Sequence, residues 1–209
     1  METSEMKRLF ACALALFAAT LWLMSPATGG RAEAAPLQTA IFSGGCFWCM
    51  EHDMKAIPGV VSVESGYTGG ALKNPRYEDV VTERTGHYES VRVKFDPAKV
   101  SYAILLDRYW KLVDPTDDSG QFCDRGPSYR PAVFVNGPEQ RKIAEASRAK
   151  AAKDLKTGQM RAPIIDATTF WPAEEYHRDY AVRNKTHYDL YRMGCGRDSR
   201  LAQVWGSAG

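Results

Sequence analysis

Apolar and polar positions along this chain switch between two periods. Alternating runs rich in β-branched and aromatic residues predict strands over Gln38 to Ser43, Val60 to Tyr67, Tyr88 to Phe95, Pro131 to Val135 and Ala162 to Ala167. Between and after them, three-to-four spacing predicts helices over Cys46 to Ile57, Pro75 to Thr82, Tyr102 to Val113, Pro138 to Leu155 and Ala173 to Asn184. Ser101 is placed to cap the third helix, Asn74 before Pro75 to open the second, and Pro58-Gly59 to close the first. The segment after Asn184, rich in Tyr, Gly and Arg, is expected to be a long C-terminal coil. No repeat or low-complexity linker follows residue 36, so the pattern predicts one α/β or α+β domain over residues 35–209 and leaves its topology open.

One strand pattern carries a chemical candidate. In the run from His87 to Phe95, a period of two puts Glu89 on the face shared by Val91, Val93 and Phe95. Buried there, its carboxyl would hold a proton at neutral pH; at a strand end it would reach solvent and ionise as usual.

The first 34 residues break the pattern. Lys7 and Arg8 precede an apolar stretch from Leu9 to Met24, followed by Pro26, Gly29, Gly30 and Ala32-Glu33-Ala34. This order predicts an export signal cleaved after about Ala34, and hence an exported, periplasmic protein. An uncleaved anchor is the other reading, but the stretch falls short of the roughly 20 apolar residues a spanning helix needs.

Composition narrows the partners. In 209 residues, 27 Lys and Arg face 25 Asp and Glu, with no basic run suited to phosphates, so nucleic acid is not expected. Of the five cysteines, Cys12 leaves with the signal. Cys46, Cys49, Cys123 and Cys195 remain in a compartment where disulfides persist. Two structural bridges are one reading; a domain of this size can also build a core without them, which leaves redox chemistry open.

Gly44-Gly45 joins the first strand to a helix beginning near Cys46, where unpaired N–H groups and the helix dipole favour an anion. A Cys46 thiolate is expected there. Cys49, three residues on, shares the helix face and could form a redox pair with it. Zinc would need a second paired motif, which the other cysteines and histidines do not supply.

At this point a specific resemblance emerges. Gly44-Gly45-Cys46-Phe47-Trp48, Gly66-Tyr67-Thr68-Gly69-Gly70, Asn74-Pro75-Arg76-Tyr77 and Thr85-Gly86-His87-Tyr88-Glu89 appear in order. Asp114-Pro115-Thr116, Gln121-Phe122-Cys123-Asp124-Arg125-Gly126 with Tyr129, and Ala173-Glu174-Glu175-Tyr176-His177 follow. The set resembles the peptide methionine sulfoxide reductase A family over nearly the whole chain beyond the leader. The resemblance implies a two-layer α+β sandwich, a mixed sheet with flanking helices on a ferredoxin-like core, and a long C-terminal coil. It also implies reduction of the S epimer of methionine sulfoxide in oxidised proteins or peptides, without a metal or flavin, by a monomer recycled by a thioredoxin-like dithiol.

Residue by residue, the resemblance makes Cys46 the nucleophile, Phe47 and Trp48 the apolar cradle of the substrate methyl group, and Glu89 the proton donor. Tyr77, Asp124 and Tyr129 match residues that hydrogen-bond around the sulfoxide oxygen. Cys195, in the glycine-flanked stretch from Met193 to Arg197, is expected to resolve the sulfenic acid left on Cys46, with Cys49 and Cys123 as the alternatives. Many family members carry Gly where this chain has Cys49. Two rival readings are a periplasmic thioredoxin-like dithiol oxidoreductase using Cys46 and Cys49, and a secreted binding domain stapled by two disulfides. Tyr67, Trp110, Phe134 and Trp171 read as plain core residues.

Overall fold

A computed structural model describes residues 35–206; the export signal expected over residues 1–34 lies outside them. The framework is β1 (Gln38–Ser43), α1 (Phe47–Lys55), β2 (Val60–Thr68), the single turn α2 (Tyr77–Val80), β3 (Tyr88–Phe95) and α3 (Tyr102–Lys111). A hairpin of β4 (Gly120–Gln121) and β5 (Asp124–Arg125), a 3₁₀ turn at Pro127–Tyr129, β6 (Ala132–Val135), α4 (Gly137–Asp154), β7 (Ile164–Asp166) and β8 (Trp171–Pro172) follow. The chain ends in a 3₁₀ turn at Glu175–His177, then α5 (Tyr180–Arg183), α6 (Lys185–Gly194) and α7 (Arg197–Trp205).

The main sheet runs β7-β6-β1-β3-β2-β8, antiparallel except for the parallel β6–β7 pair. Its middle order, β6-β1-β3-β2, with α1 and α3 as crossovers, is the split βαβ arrangement of a ferredoxin-like core. One sheet face, bearing Ala40, Phe42, Val91, Val93 and Phe95, packs on Met50 and Met54 of α1 and on Leu105, Leu106, Tyr109 and Trp110 of α3. The other face packs Ile41, Tyr88, Ala132 and Phe134 beneath Ile165, Ala167 and Phe170. This is the expected two-layer α+β sandwich.

The five expected strands are present, two of them trimmed. β6 begins at Ala132 rather than at Pro131, which has no N–H to donate. Ser101 caps α3, accepting the Ile104 N–H at 3.3 Å. Asn74 does not cap α2: it sits in the left-handed region at φ 50°, and the turn starts from Arg76, whose N–H donates to Asp79 at 2.9 Å.

Two expectations fail near the C-terminus. The helix expected over Ala173 to Asn184 is broken at Asp179, at φ 53°, whose N–H turns inward onto both carboxylate oxygens of buried Glu51 at 3.2 Å. The expected C-terminal coil is instead α6 and α7, joined through Gly196 at φ 63°. Tyr188 of α6 packs on Cys49 and Ala181, and Val204 of α7 is buried; this packing stabilises helices that the Tyr- and Gly-rich composition disguised.

Candidate active site

Cys46 is the residue before the first turn of α1, and its carbonyl accepts the N–H groups of Cys49 at 3.1 Å and Met50 at 3.3 Å. The preceding glycines are required by close packing. A Cβ on Gly44 would meet Val113 at 2.5 Å and Met50 Sδ at 2.7 Å, and one on Gly45, at φ 82°, would meet Gln121 at 2.7 Å. The space that they open is filled by protein rather than left for a ligand.

Glu89 lies on β3 opposite Tyr67 of β2, on the helix-covered face, with 2 % of its surface exposed. Its Oε2 accepts the Phe47 N–H at 3.1 Å, so the carboxyl, not a thiolate, occupies the N-terminal donor of α1. Burial outweighs that hydrogen bond and pushes the Glu89 pKa up to about 8, assisted by the negative charges of Asp124 and Glu83. The inward reading of Glu89 holds.

The expected Cys46 thiolate meets opposing forces. Burial first, then the hydrogen bond to Cys49 and the charge of Glu89, hold the Cys46 thiol well above its ordinary pKa. Its partner behaves oppositely: Cys49 accepts the hydrogen bond from Cys46, faces Arg197 and Arg192, and is lowered to about 7 despite burial. The helix terminus thus supports the pair with the proton on Cys46.

The expected oxygen-site residues surround these groups. Tyr129 sits in the 3₁₀ turn anchored by Glu83, which accepts the Ser128 N–H and hydroxyl at 2.8 Å each. Tyr129 lies beside Tyr77, and burial, then the charge of Glu89, holds the Tyr129 phenol protonated. Asp124 lies by the Cys46 backbone and accepts, at 2.5 Å, the hydroxyl of Tyr191; burial raises its carboxyl.

The apolar wall is built by Phe47 and Trp48. His177, itself buried, packs against Phe47 at 4.9 Å and Tyr77 at 4.6 Å between ring centroids, and its Nδ1 accepts the Trp48 indole N–H at 3.1 Å. Trp48 stacks on Tyr180 at 3.7 Å.

The remaining cysteines are joined. Cys123, in the loop between β4 and β5, forms a disulfide with Cys195, the residue that ends α6. Cys195 is therefore held between two helices, not carried on the flexible coil expected for it, while Cys46 and Cys49 carry free thiols. The two bonded sulfurs and an Asp124 oxygen lie within 4.8 Å of one another, so this disulfide borders the same site.

Three contributing residues were missed from sequence. Tyr191 donates its hydroxyl to Asp124 at 2.5 Å and lies beside Cys46. Glu174 accepts the Tyr67 hydroxyl at 2.9 Å and the Tyr77 N–H at 2.8 Å, which gives Tyr67 a role beyond packing. Arg197 is fully buried beneath the Gly44 turn. The spacing of Tyr188, Tyr191 and Cys195, three and four apart, was the available sign of an inward helical stripe.

A buried protonated acid, phenol donors, an apolar cradle and an adjacent thiol pair on a ferredoxin-like scaffold define a thiol-dependent reductase of a polar oxygen group. Residues 38–208 match the family model described as peptide methionine sulfoxide reductase. The chain belongs to the peptide methionine sulfoxide reductase family.

It is 66% identical over 193 residues to peptide methionine sulfoxide reductase MsrA 2 of Caulobacter vibrioides, covering 92% of this chain and 97% of that protein. It is 49% identical over 172 residues to the Bacillus pumilus MsrA, covering 80% and 95%. Among solved structures it is similar to methionine sulfoxide reductase A of Corynebacterium diphtheriae, with a TM-score of 0.64 at 31% identity, covering 71% of this chain and 76% of that one. Mxr1 of Saccharomyces cerevisiae in reduced form gives the same TM-score at 25% identity, covering 73% and 88%. The chain is a methionine sulfoxide reductase of the A class, and the thioredoxin-like reading of Cys46 and Cys49 is not favoured.

Proposed function

We propose that this enzyme repairs the S epimer of methionine sulfoxide in exported proteins, with Cys46 as nucleophile and Glu89 as proton donor. The carrying observation is that Glu89, buried and with its pKa near 8, sits against the Phe47 N–H beside Cys46. A sulfoxide sulfur is a poor electrophile until its oxygen is protonated or strongly hydrogen-bonded. Glu89 supplies that proton, with Tyr77, Tyr129 and Asp124 around the oxygen and Phe47 and Trp48 around the methyl group.

As the oxygen takes the Glu89 proton, Cys46 sulfur attacks the substrate sulfur and its thiol proton returns to the carboxylate. The transient bond between the two sulfurs then breaks as the hydroxyl passes from the substrate sulfur to Cys46: the substrate sulfur–oxygen bond is lost, methionine leaves with the electron pair of the sulfur–sulfur bond, reduced by two electrons, and Cys46 carries the oxygen as a sulfenic acid. Glu89 ends the step protonated, as it began.

Cys49, hydrogen-bonded to Cys46 and lowered to about 7, is the free thiol best placed to attack that sulfenic sulfur. A Cys46–Cys49 bond forms, the sulfenic hydroxyl leaves as water with the proton of Glu89, and solvent returns a proton to that carboxylate. Cys195 is the second reading, favoured by its place beside Asp124, but its bond to Cys123 must first be opened. An outside thioredoxin-like dithiol completes the cycle by exchange.

Anaerobic incubation with each resolved epimer of methionine sulfoxide and dithiothreitol tests the assignment. Methionine should be released from the S epimer; release from the R epimer alone would refute the reading.

A further inference from the structure

We propose that Arg197 is a positioning residue for disulfide formation: its buried guanidinium brackets the Cys46–Cys49 stretch and stabilises Cys49 as the attacking thiolate. The inference rests on Cys49 being the resolving thiol.

Arg197 opens α7 directly after Cys195 and Gly196, yet only 2 % of it is exposed. Its Nη1 donates to the Gly44 carbonyl at 3.4 Å, two residues before Cys46, and its Nη2 reaches Met50 Sδ at 3.4 Å, one residue after Cys49. Nη2 also donates to the Leu112 carbonyl at 2.7 Å, and the guanidinium lies 4.5 Å from the centre of the Phe122 ring. None of these partners carries a charge. Nε has no hydrogen-bond partner among the described residues; the nearest carboxylate contact is Asp53 Oδ2 at 3.8 Å.

Charge balance then favours an anion at Cys49. Cys49 and Asp53, four residues apart, share one face of α1. Facing them are Arg197 and Arg192, the latter donating from Nη1 to both Asp53 oxygens at 2.9 and 3.0 Å and to the Tyr188 hydroxyl at 3.1 Å. Asp198 accepts from Arg192 at 2.9 Å, but it is largely exposed and solvent screens it. The groups lining Cys49 therefore include two guanidiniums, of buried Arg197 and half-buried Arg192, against the one carboxylate of Asp53; Arg197 also acts on Asp124, whose carboxyl burial raises and which the Tyr191 hydroxyl binds. Tyr188 and Tyr191 face Cys49 as neutral phenols, raised by burial, and Cys46 faces it as a protonated thiol. A buried cation without a counter-charge is costly, so ionising Cys49 is the inexpensive way to neutralise the cluster.

The test uses the full chain with Cys12→Ser and Cys46→Ser, so that Cys49 is the remaining free thiol, and follows its alkylation by iodoacetamide against pH. Adding Arg197→Met should move the midpoint upward by about one unit, roughly a tenfold loss of thiolate below the midpoint. Arg197→Lys should restore most of it, and Asp53→Asn should move the midpoint downward. With Cys46 present, Arg197→Met should slow Cys46–Cys49 closure after one equivalent of substrate by about the same factor.

A midpoint unmoved by Arg197→Met overturns the proposal, even if the melting temperature falls. Should that variant fail to fold, an unmoved midpoint in Asp53→Asn overturns it equally. Peptide mapping of the closed product separates the two layers. A dominant Cys46–Cys195 bridge would refute Cys49 as resolver while the alkylation profiles still judged the Arg197 field.

Discussion

Glu89 and Cys49 lie on opposite flanks of Cys46, are both buried, and are displaced in opposite directions. On the sheet side, Glu89 meets Asp124 and Glu83, and its pKa rises to about 8. On the side of the terminal helices, Cys49 takes the hydrogen bond from Cys46 and meets Arg197 and Arg192, and its pKa falls to about 7. Desolvation works against the charged form of each group: it dominates at Glu89, whereas at Cys49 the hydrogen bond from Cys46, joined by the two arginines, outweighs it. One flank is thereby suited to giving a proton to an oxygen, and the other to supplying a sulfur anion. Cys46, between them, stays protonated until substrate arrives.

The largest expected effect breaks both flanks at once. Cys46→Ser should abolish methionine release, because a serine hydroxyl is far too weakly acidic and nucleophilic to replace the thiol; measurable single-turnover release would remove Cys46 from its role. Next, Glu89→Gln should slow the first step by roughly 10²- to 10⁴-fold, the range for a positioned general acid. Stopped-flow rates equal to wild type at neutral pH would show that another group donates.

A smaller effect sharpens the boundary between the flanks. Tyr129→Phe should lower the first step by about tenfold, the worth of one hydrogen bond to developing charge, and leave disulfide closure at its normal rate. Tyr191→Phe, which removes contacts to Cys46 and Asp124, should affect both steps. Rapid-quench separation of methionine release from thiol loss distinguishes the two variants, and identical step profiles would erase the distinction.

Much of the sheet-side flank was legible in the sequence. The period of two fixed the face of Glu89, and the Gly-Gly-Cys junction marked the start of α1. The other flank was hidden for physical reasons. Its helices gain their stability from burying Tyr188 and Val204 rather than from local propensity, and Gly194 and Gly196 pointed toward coil. The partner of Cys195 could not be read from spacing, because Cys123 is brought to it by a hairpin of two-residue strands too short to show a period. The helix terminus at Cys46 was legible in the sequence, whereas burial of that thiol and the approach of Arg197 from the far end of the chain to Cys49 were not.

The most direct test is the pH dependence of the two steps in single turnovers of the wild-type enzyme. Methionine release needs protonated Glu89, so its rate should be highest below about pH 8 and fall as pH rises through that value. Disulfide closure needs ionised Cys49, so its rate should rise through about pH 7. Opposite limbs, crossing between these values, are the predicted result; two profiles that rise together with one shared midpoint would contradict the account.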